Sequence, residues 1–164
     1  MFHQLRECTM TVDELLDIAI QHEVSSQNLY AGMLEKTNNV EMQNFLKSLV
    51  EEEKGHEDLL TTMKEMEIYD GSIVVEDTSL IKGVEQSHTT AKEPEAPPES
   101  IEQILELALT RETKAQNLFL TLAKSSKNEE LKTMFENLAE EEMNHHHDIQ
   151  KKFAMQQGTM GFEM

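Results

Sequence analysis

Apolar residues recur along this chain at alternating steps of four and three, the spacing that keeps side chains on one face of an α-helix. Four such seams can be written out. The first is Val12, Leu16, Ala19, Glu23, Ser26, Tyr30, Met33, and the second is Met42, Leu46, Leu49, Glu53, His56, Leu60, Met63. The third is Ile101, Leu105, Ala108, Glu112, Ala115, Phe119, Leu122, and the fourth is Leu131, Phe135, Leu138, Glu142, His145, Ile149, Lys152. The pattern predicts an all-α chain of four long helices, paired into hairpins over 11–67 and 100–156. Thr11-x-x-Glu14 and Ser100-x-x-Gln103 fit the capping box that starts a helix. Polar breaks at Thr37-Asn38-Asn39 and Ser125-Ser126-Lys127-Asn128 predict tight turns, with Asn38 or Asn39 and Asn128 as N-caps. Between the hairpins, 68–99 gathers Asp70-Gly71, the β-branched run Ile73-Val74-Val75, Gly83 and the three prolines, Pro94, Pro97 and Pro98. It reads as a long crossover connection holding a short strand or turn, and 157–164 reads as a tail. The length, 164 residues, suits a single domain.

The hairpins are copies of each other. An offset of 89 residues, without a gap, lays Ala19-Ile20-Gln21-His22-Glu23 over Ala108-Leu109-Thr110-Arg111-Glu112, and Gln27-Asn28-Leu29-Tyr30 over Gln116-Asn117-Leu118-Phe119. It also lays Glu51-Glu52-Glu53-Lys54-Gly55-His56 over Glu140-Glu141-Glu142-Met143-Asn144-His145. Duplication of a helical hairpin explains the shared polar residues better than a common apolar rhythm does.

Every seam is interrupted midway by a carboxylate, and the second and fourth add a histidine one turn later. Each glutamate stands 15 residues from its turn, about 22 Å along the helix axis, so the two in a hairpin share one level. If the connection returns the chain along the bundle, the third helix runs parallel to the second and a pseudo-twofold axis relates the hairpins. Four carboxylates and two imidazoles then meet in one core. Four buried carboxylates are costly unless protonated, paired or bound to cations, and two divalent cations would balance them with neutral histidines completing the ligands. A buried polar network in a metal-free bundle is the alternative.

Composition narrows the chemistry. Fourteen Lys and Arg against 32 Asp and Glu leave a net charge of −18, which disfavours nucleic acid and anionic membrane surfaces as partners. No run approaches the roughly 20 apolar residues of a membrane span. The first residues lack the apolar stretch of a secretory signal, so a cytoplasmic location is expected. Cys8 is the single cysteine, which leaves no pair for a disulfide and no set for an iron–sulfur cluster.

Single glutamates at 23 and 112, with Glu53-Lys54-Gly55-His56 and Glu142-Met143-Asn144-His145 on the alternate helices, resemble the ferritin-like di-iron carboxylate superfamily, most of all its rubrerythrin-type members. The resemblance covers about residues 11–156 and implies a ferritin-like four-helix bundle binding two iron ions per chain, with manganese or zinc as alternatives. It implies that Glu53 and Glu142 bridge the metals, with Glu23 and His56, and Glu112 and His145, as terminal ligands. Tyr30 resembles a family tyrosine close to the metals; its repeat counterpart is Phe119. The implied activity is that of a non-haem di-iron oxidoreductase reducing hydrogen peroxide or O2. A separate electron donor in trans, a rubredoxin or a flavoprotein reductase, and a homodimer go with it. The alternatives are a ferroxidase or iron-handling protein with Fe(II) as substrate, and a non-catalytic metal-binding bundle.

Two departures stand out. Typical rubrerythrins carry a further glutamate one turn after the third-helix ligand, where this chain has Ala115, and a rubredoxin-like domain, whose iron a lone Cys8 cannot bind. Glu51, Glu52, Glu140 and Glu141 read as a solvated acidic face. His22, His146 and His147 rotate off the seam and read as surface residues. The eleven methionines read as core filler or tail. Ser26 and Ala115 either leave room beside the metals or permit close helix packing. Gln27 and Asn28, and their repeats Gln116 and Asn117, acquire no role.

Overall fold

The computed structural model describes residues 10–68, 70–75 and 100–156. Helices α1 (Val12–Leu34), α2 (Val40–Glu65), α3 (Ile101–Ser125) and α4 (Glu129–Gln156) form the two expected hairpins. Two short strands, β1 (Met10–Thr11) and β2 (Val74–Val75), pair antiparallel with Met10 opposite Val75. Strand β2 falls in the β-branched run of the connection; its partner β1, ahead of α1, carried no sequence signal. Cys8, Gly83, the three prolines and the tail lie outside the described residues.

The helix starts follow the local chemistry. Thr11, Asn39 and Ser100 accept side-chain hydrogen bonds from the backbone N–H groups of Glu14, Met42 and Gln103, and Asn128 Oδ1 accepts from Glu130 and Leu131. The first turn of α1 gains a second support, because Val12 and Asp13 donate their backbone N–H groups to the carbonyls of Ile73 and Gly71, both at 2.9 Å. Those donors have no partner within the helix, so the ribbon and the Asp70–Ser72 turn close that end.

Two apolar layers fill the bundle. One joins Leu15, Leu16 and Ala19 of α1 and Leu60 and Met63 of α2 to Leu118, Phe119 and Leu122 of α3 and Leu131, Phe135 and Leu138 of α4. The other joins Tyr30 and Met33 of α1 and Met42, Leu46 and Leu49 of α2 to Leu105 and Ala108 of α3 and Ile149 of α4. The start of α1 thus packs with the end of α3, so α1 and α3 are antiparallel and α2 and α3 parallel, the arrangement expected if the connection returns along the bundle. Val75 belongs to the first layer and Ile104 to the second, so the connection leaves one end of the bundle and re-enters at the other.

Candidate metal centre

Between the two layers lies a stratum of ionisable side chains. Glu23, Glu53, Glu112 and Glu142 are each at most 1% exposed, and His56 and His145 are buried beside them. The seams place them there: all seven α1 seam residues are buried, and the seven of α2 are its whole buried set. Ligand-type atoms of Glu23, Glu53, His56 and Glu142 lie within 4.8 Å of one another, and so do those of Glu53, Glu112, Glu142 and His145. The two groups share Glu53 and Glu142. Either has the size and donor set of a cation site.

The carboxylates are short of hydrogen-bond donors. Both oxygens of Glu23, both of Glu53 and Oε2 of Glu112 are buried without a hydrogen-bond partner. Such orphaned oxygens are what a bound divalent cation would satisfy, and with imidazole nitrogens this donor set suits iron, manganese or zinc. Each histidine turns Nδ1 inward. His56 Nδ1 lies 2.9 Å from Glu142 Oε1, and His145 Nδ1 lies 2.8 Å from Glu53 Oε1, where it makes no hydrogen bond. The rings stack with centroids 6.0 Å apart.

Outward, His56 Nε2 bonds Glu141 and His145 Nε2 bonds Glu52. These contacts cross the repeats reciprocally and correct the reading of that acidic stretch as solvated only. Glu52 and Glu141 are exposed over half of their side chains, yet their reach brings the carboxylates onto the imidazoles. Glu51 and Glu140 are exposed as expected. Glu52, His56, Glu141 and His145, with Asn144 and Asp148, line a cavity of about 400 Å³ at the histidine edges.

Charge inside the cluster is divided. Burial and the charges of Glu142 and Glu53 push Glu23 well above the usual carboxylate range, and burial and Glu142 do the same for Glu112. Burial also opposes ionisation of Glu142, but the contacts with Glu112, His145 and His56 outweigh it and hold this carboxyl well below its ordinary value. Glu53 is lowered too: contacts with Glu23, His145 and His56 overcome burial and the charge of Glu142. Burial disfavours imidazolium, yet the surrounding carboxylates raise both His56 and His145. Without cations the cluster therefore favours protons on Glu23, Glu112 and the two imidazoles and ionised carboxylates at Glu53 and Glu142. Divalent cations would displace those protons.

Tyr30 is buried and donates its hydroxyl hydrogen bond to Glu112 across the repeats; burial and Glu112 keep the phenol protonated. Phe119, its counterpart, packs in the first apolar layer. The opposite pair of seams holds two residues that the single-seam pattern passes over. His22 is 2% exposed, which corrects its reading as a surface residue, and its repeat counterpart Arg111 is largely buried with Nε unpartnered. A second stripe through Leu15, His22 and Leu29, or Ile104, Arg111 and Leu118, is the signal that reveals them. His146 is half-buried and His147 exposed, both outside the cluster. Ser26 and Ala115 are buried at this level, and Lys152 reaches over the Phe45 ring, 5.4 Å from its centroid. Gln27 donates to the Glu23 carbonyl at 3.1 Å, a structural role the sequence left open.

The rubrerythrin family model matches residues 3–64 and 103–160, one segment for each repeat and most of the chain. The chain belongs to the rubrerythrin family. A crystal structure from Thermotoga maritima, of a protein assigned to the ferritin-like diiron-carboxylate class, superposes with a TM-score of 0.72 at 17% identity, covering 87% of this chain and 93% of that one. That likeness establishes the ferritin-like fold. No curated protein matches the chain. No helix among the described residues is long and apolar enough to cross a membrane.

Proposed function

We propose that this rubrerythrin-family bundle holds two iron ions and reduces hydrogen peroxide, drawing electrons from a separate donor. The observation that carries the reading is the pair of four-residue groups sharing Glu53 and Glu142, in a stratum whose carboxylate oxygens lack donors. In this reading Glu53 and Glu142 would be shared by the two ions, Glu23 with His56 would hold one, and Glu112 with His145 would hold the other. Two ferrous ions would supply the two electrons that, with two protons, convert peroxide to two waters.

The chain's own residues supply the rest. The apolar layers on either side keep bulk water from the stratum, and the cavity along Glu52, His56, Glu141 and His145 gives a small polar oxidant its approach. Glu52 and Glu141 hold the imidazole rings from behind, which fixes the inward nitrogen of each. Tyr30 holds a proton at Glu112. With one cysteine, the chain has no iron–sulfur centre to re-reduce the site, so the donor, a rubredoxin or flavoprotein reductase, comes from outside, and a −18 charge favours one with a basic face.

Ala115 favours a second reading, because a ligand set without the extra family glutamate is symmetric and suits a ferroxidase with Fe(II) as substrate. Metal analysis followed by stopped-flow mixing of the ferrous protein with peroxide or O2 separates them. Peroxidase action predicts one rapid turnover that resumes only on adding reductant. Iron accumulating well beyond two per chain without re-reduction favours the ferroxidase, and zinc or manganese with no redox response favours a non-catalytic bundle.

A further inference from the structure

The ligands obey the repeat symmetry; their neighbours do not. Glu23 has both oxygens free of hydrogen-bond donors, whereas Glu112 has Oε1 engaged by the Tyr30 hydroxyl and only Oε2 free. The position related to Tyr30 by the repeat is Phe119, which has no hydroxyl to offer Glu23. Beside Glu112 in sequence stands Arg111, largely buried, with Nε unpartnered and no ion pair among the described residues. Its repeat counterpart is His22. A guanidinium stays charged in a protein, and the nearby charges of Glu112 and Glu53 favour this one, so a fixed positive charge sits on the Glu112 side.

We infer that the two cation positions are inequivalent: the one closed by Glu23 and His56 takes a divalent cation first and more tightly than the one closed by Glu112 and His145. A cation at the Glu112 position competes with Tyr30 for one of two carboxylate oxygens and meets the Arg111 charge. A cation at the Glu23 position meets neither. A hydrogen bond that merely orients a ligand strengthens binding, but here it also occupies a donor atom, and Arg111 adds repulsion on the same side. Tyr30 and Arg111 are thus positioning residues that set the order of filling. This inference rests on the reading that these six residues hold two divalent cations, and not on iron or on turnover.

The test is an anaerobic titration of the metal-free full-length chain with Co(II), followed by calorimetry and absorption. Two steps are expected, with dissociation constants at least about tenfold apart, the scale of outer-shell effects on metal sites. Anomalous diffraction from crystals grown with one equivalent of Co(II) should place it between Glu23 and His56. Arg111→Met, which removes this fixed charge and keeps an apolar chain, should tighten the second step and leave the first. Tyr30→Phe should act in the same direction, and Phe119→Tyr, which brings a hydroxyl to the other half, should weaken the first step. Two equal steps, first occupancy at His145, or an unchanged ratio in Arg111→Met overturns the inference while leaving the two-cation site standing. Failure to bind two Co(II) ions removes that site reading, and the inference with it.

Discussion

Glu52, on the first repeat, bonds the outward nitrogen of His145 on the second, and the repeat carries the same relationship from Glu141 to His56. Each repeat therefore orients the other's histidine. A hairpin alone would hold a glutamate pair and an imidazole whose far nitrogen faced water, so the centre is complete only when both copies pack. A carboxylate behind an imidazole ligand fixes the ring and raises its basicity.

Removing that carboxylate should weaken cation binding without unfolding the bundle, because the Glu52 and Glu141 side chains are more than half exposed. Glu52→Gln or Glu141→Gln should lower affinity for a divalent cation by about 10- to 100-fold. Competition with a chromophoric chelator measures it. Unchanged affinity in both variants would show that the outward contacts leave the imidazoles as they were.

Glu53 and Glu142 belong to both ligand groups, and Glu23 and Glu112 to one each. Glu53→Ala or Glu142→Ala should therefore disturb both cations, whereas Glu23→Ala should retain binding at the Glu112 position. Metal analysis after equilibration with excess cation decides it. Two tightly held ions in Glu53→Ala would mean that it does not bridge.

The seams were legible because burial at the bundle centre leaves a strict record: the α2 seam is the whole buried set of that helix. The six-residue cluster followed, since a charged residue inside an apolar run stands out. Three features left weaker marks. His22 and Arg111 lie on a second stripe that a single seam per helix overlooks. Two-residue strands are too short to show a period of two, so β1 could not be read from Met10 and Thr11. Glu52 and Glu141 occupy exposed helix positions and act through side-chain reach, which periodicity does not encode. The repeat did contain the hint, because both glutamates precede a seam carboxylate and recur at the same offset.

The end of α2 offers a stability change remote from the cluster. Glu67 has φ of 48° and lies just past the C-cap Met66. Its N–H reaches the Lys64 carbonyl and the Ile68 N–H reaches that of Met63, the paired bonds of a Schellman ending. That ending ordinarily places glycine here, because a left-handed backbone costs a side-chain-bearing residue about 1–2 kcal/mol. Glycine also gains unfolded-state entropy worth about 0.4–1 kcal/mol, so Glu67→Gly should stabilise the protein by a net of about 0.5–1 kcal/mol. Thermal melts should rise by about 2–3 °C. Glu67→Ala serves as the control, since it removes the carboxylate and keeps the strain; an equal rise there would assign the gain to charge.

The cluster should give the metal-free and metal-loaded proteins opposite responses to pH. In the metal-free chain Glu23 and Glu112 are raised above their ordinary 4.5, so from that pH upward the folded state holds protons that the unfolded state has lost, and stability falls. His56 and His145 are raised above 6.5; their stabilisation is complete below that pH and drains away as pH climbs through the folded values. Glu53 and Glu142 are lowered, so what they contribute is present above 4.5 and lost only in stronger acid. The three signs together place the metal-free optimum on the acid side of neutrality, with a decline through pH 8. Cation binding reverses the slope, because protons compete with the metal for all six ligands and loading is most complete where they are absent. Melting both forms from pH 5 to 8 at one ionic strength gives the comparison, with the shared acidic surface cancelling between them. The gap in Tm between loaded and metal-free protein should widen steadily as pH rises. A constant gap across that range would mean that the four glutamates and two histidines do not exchange protons for cations.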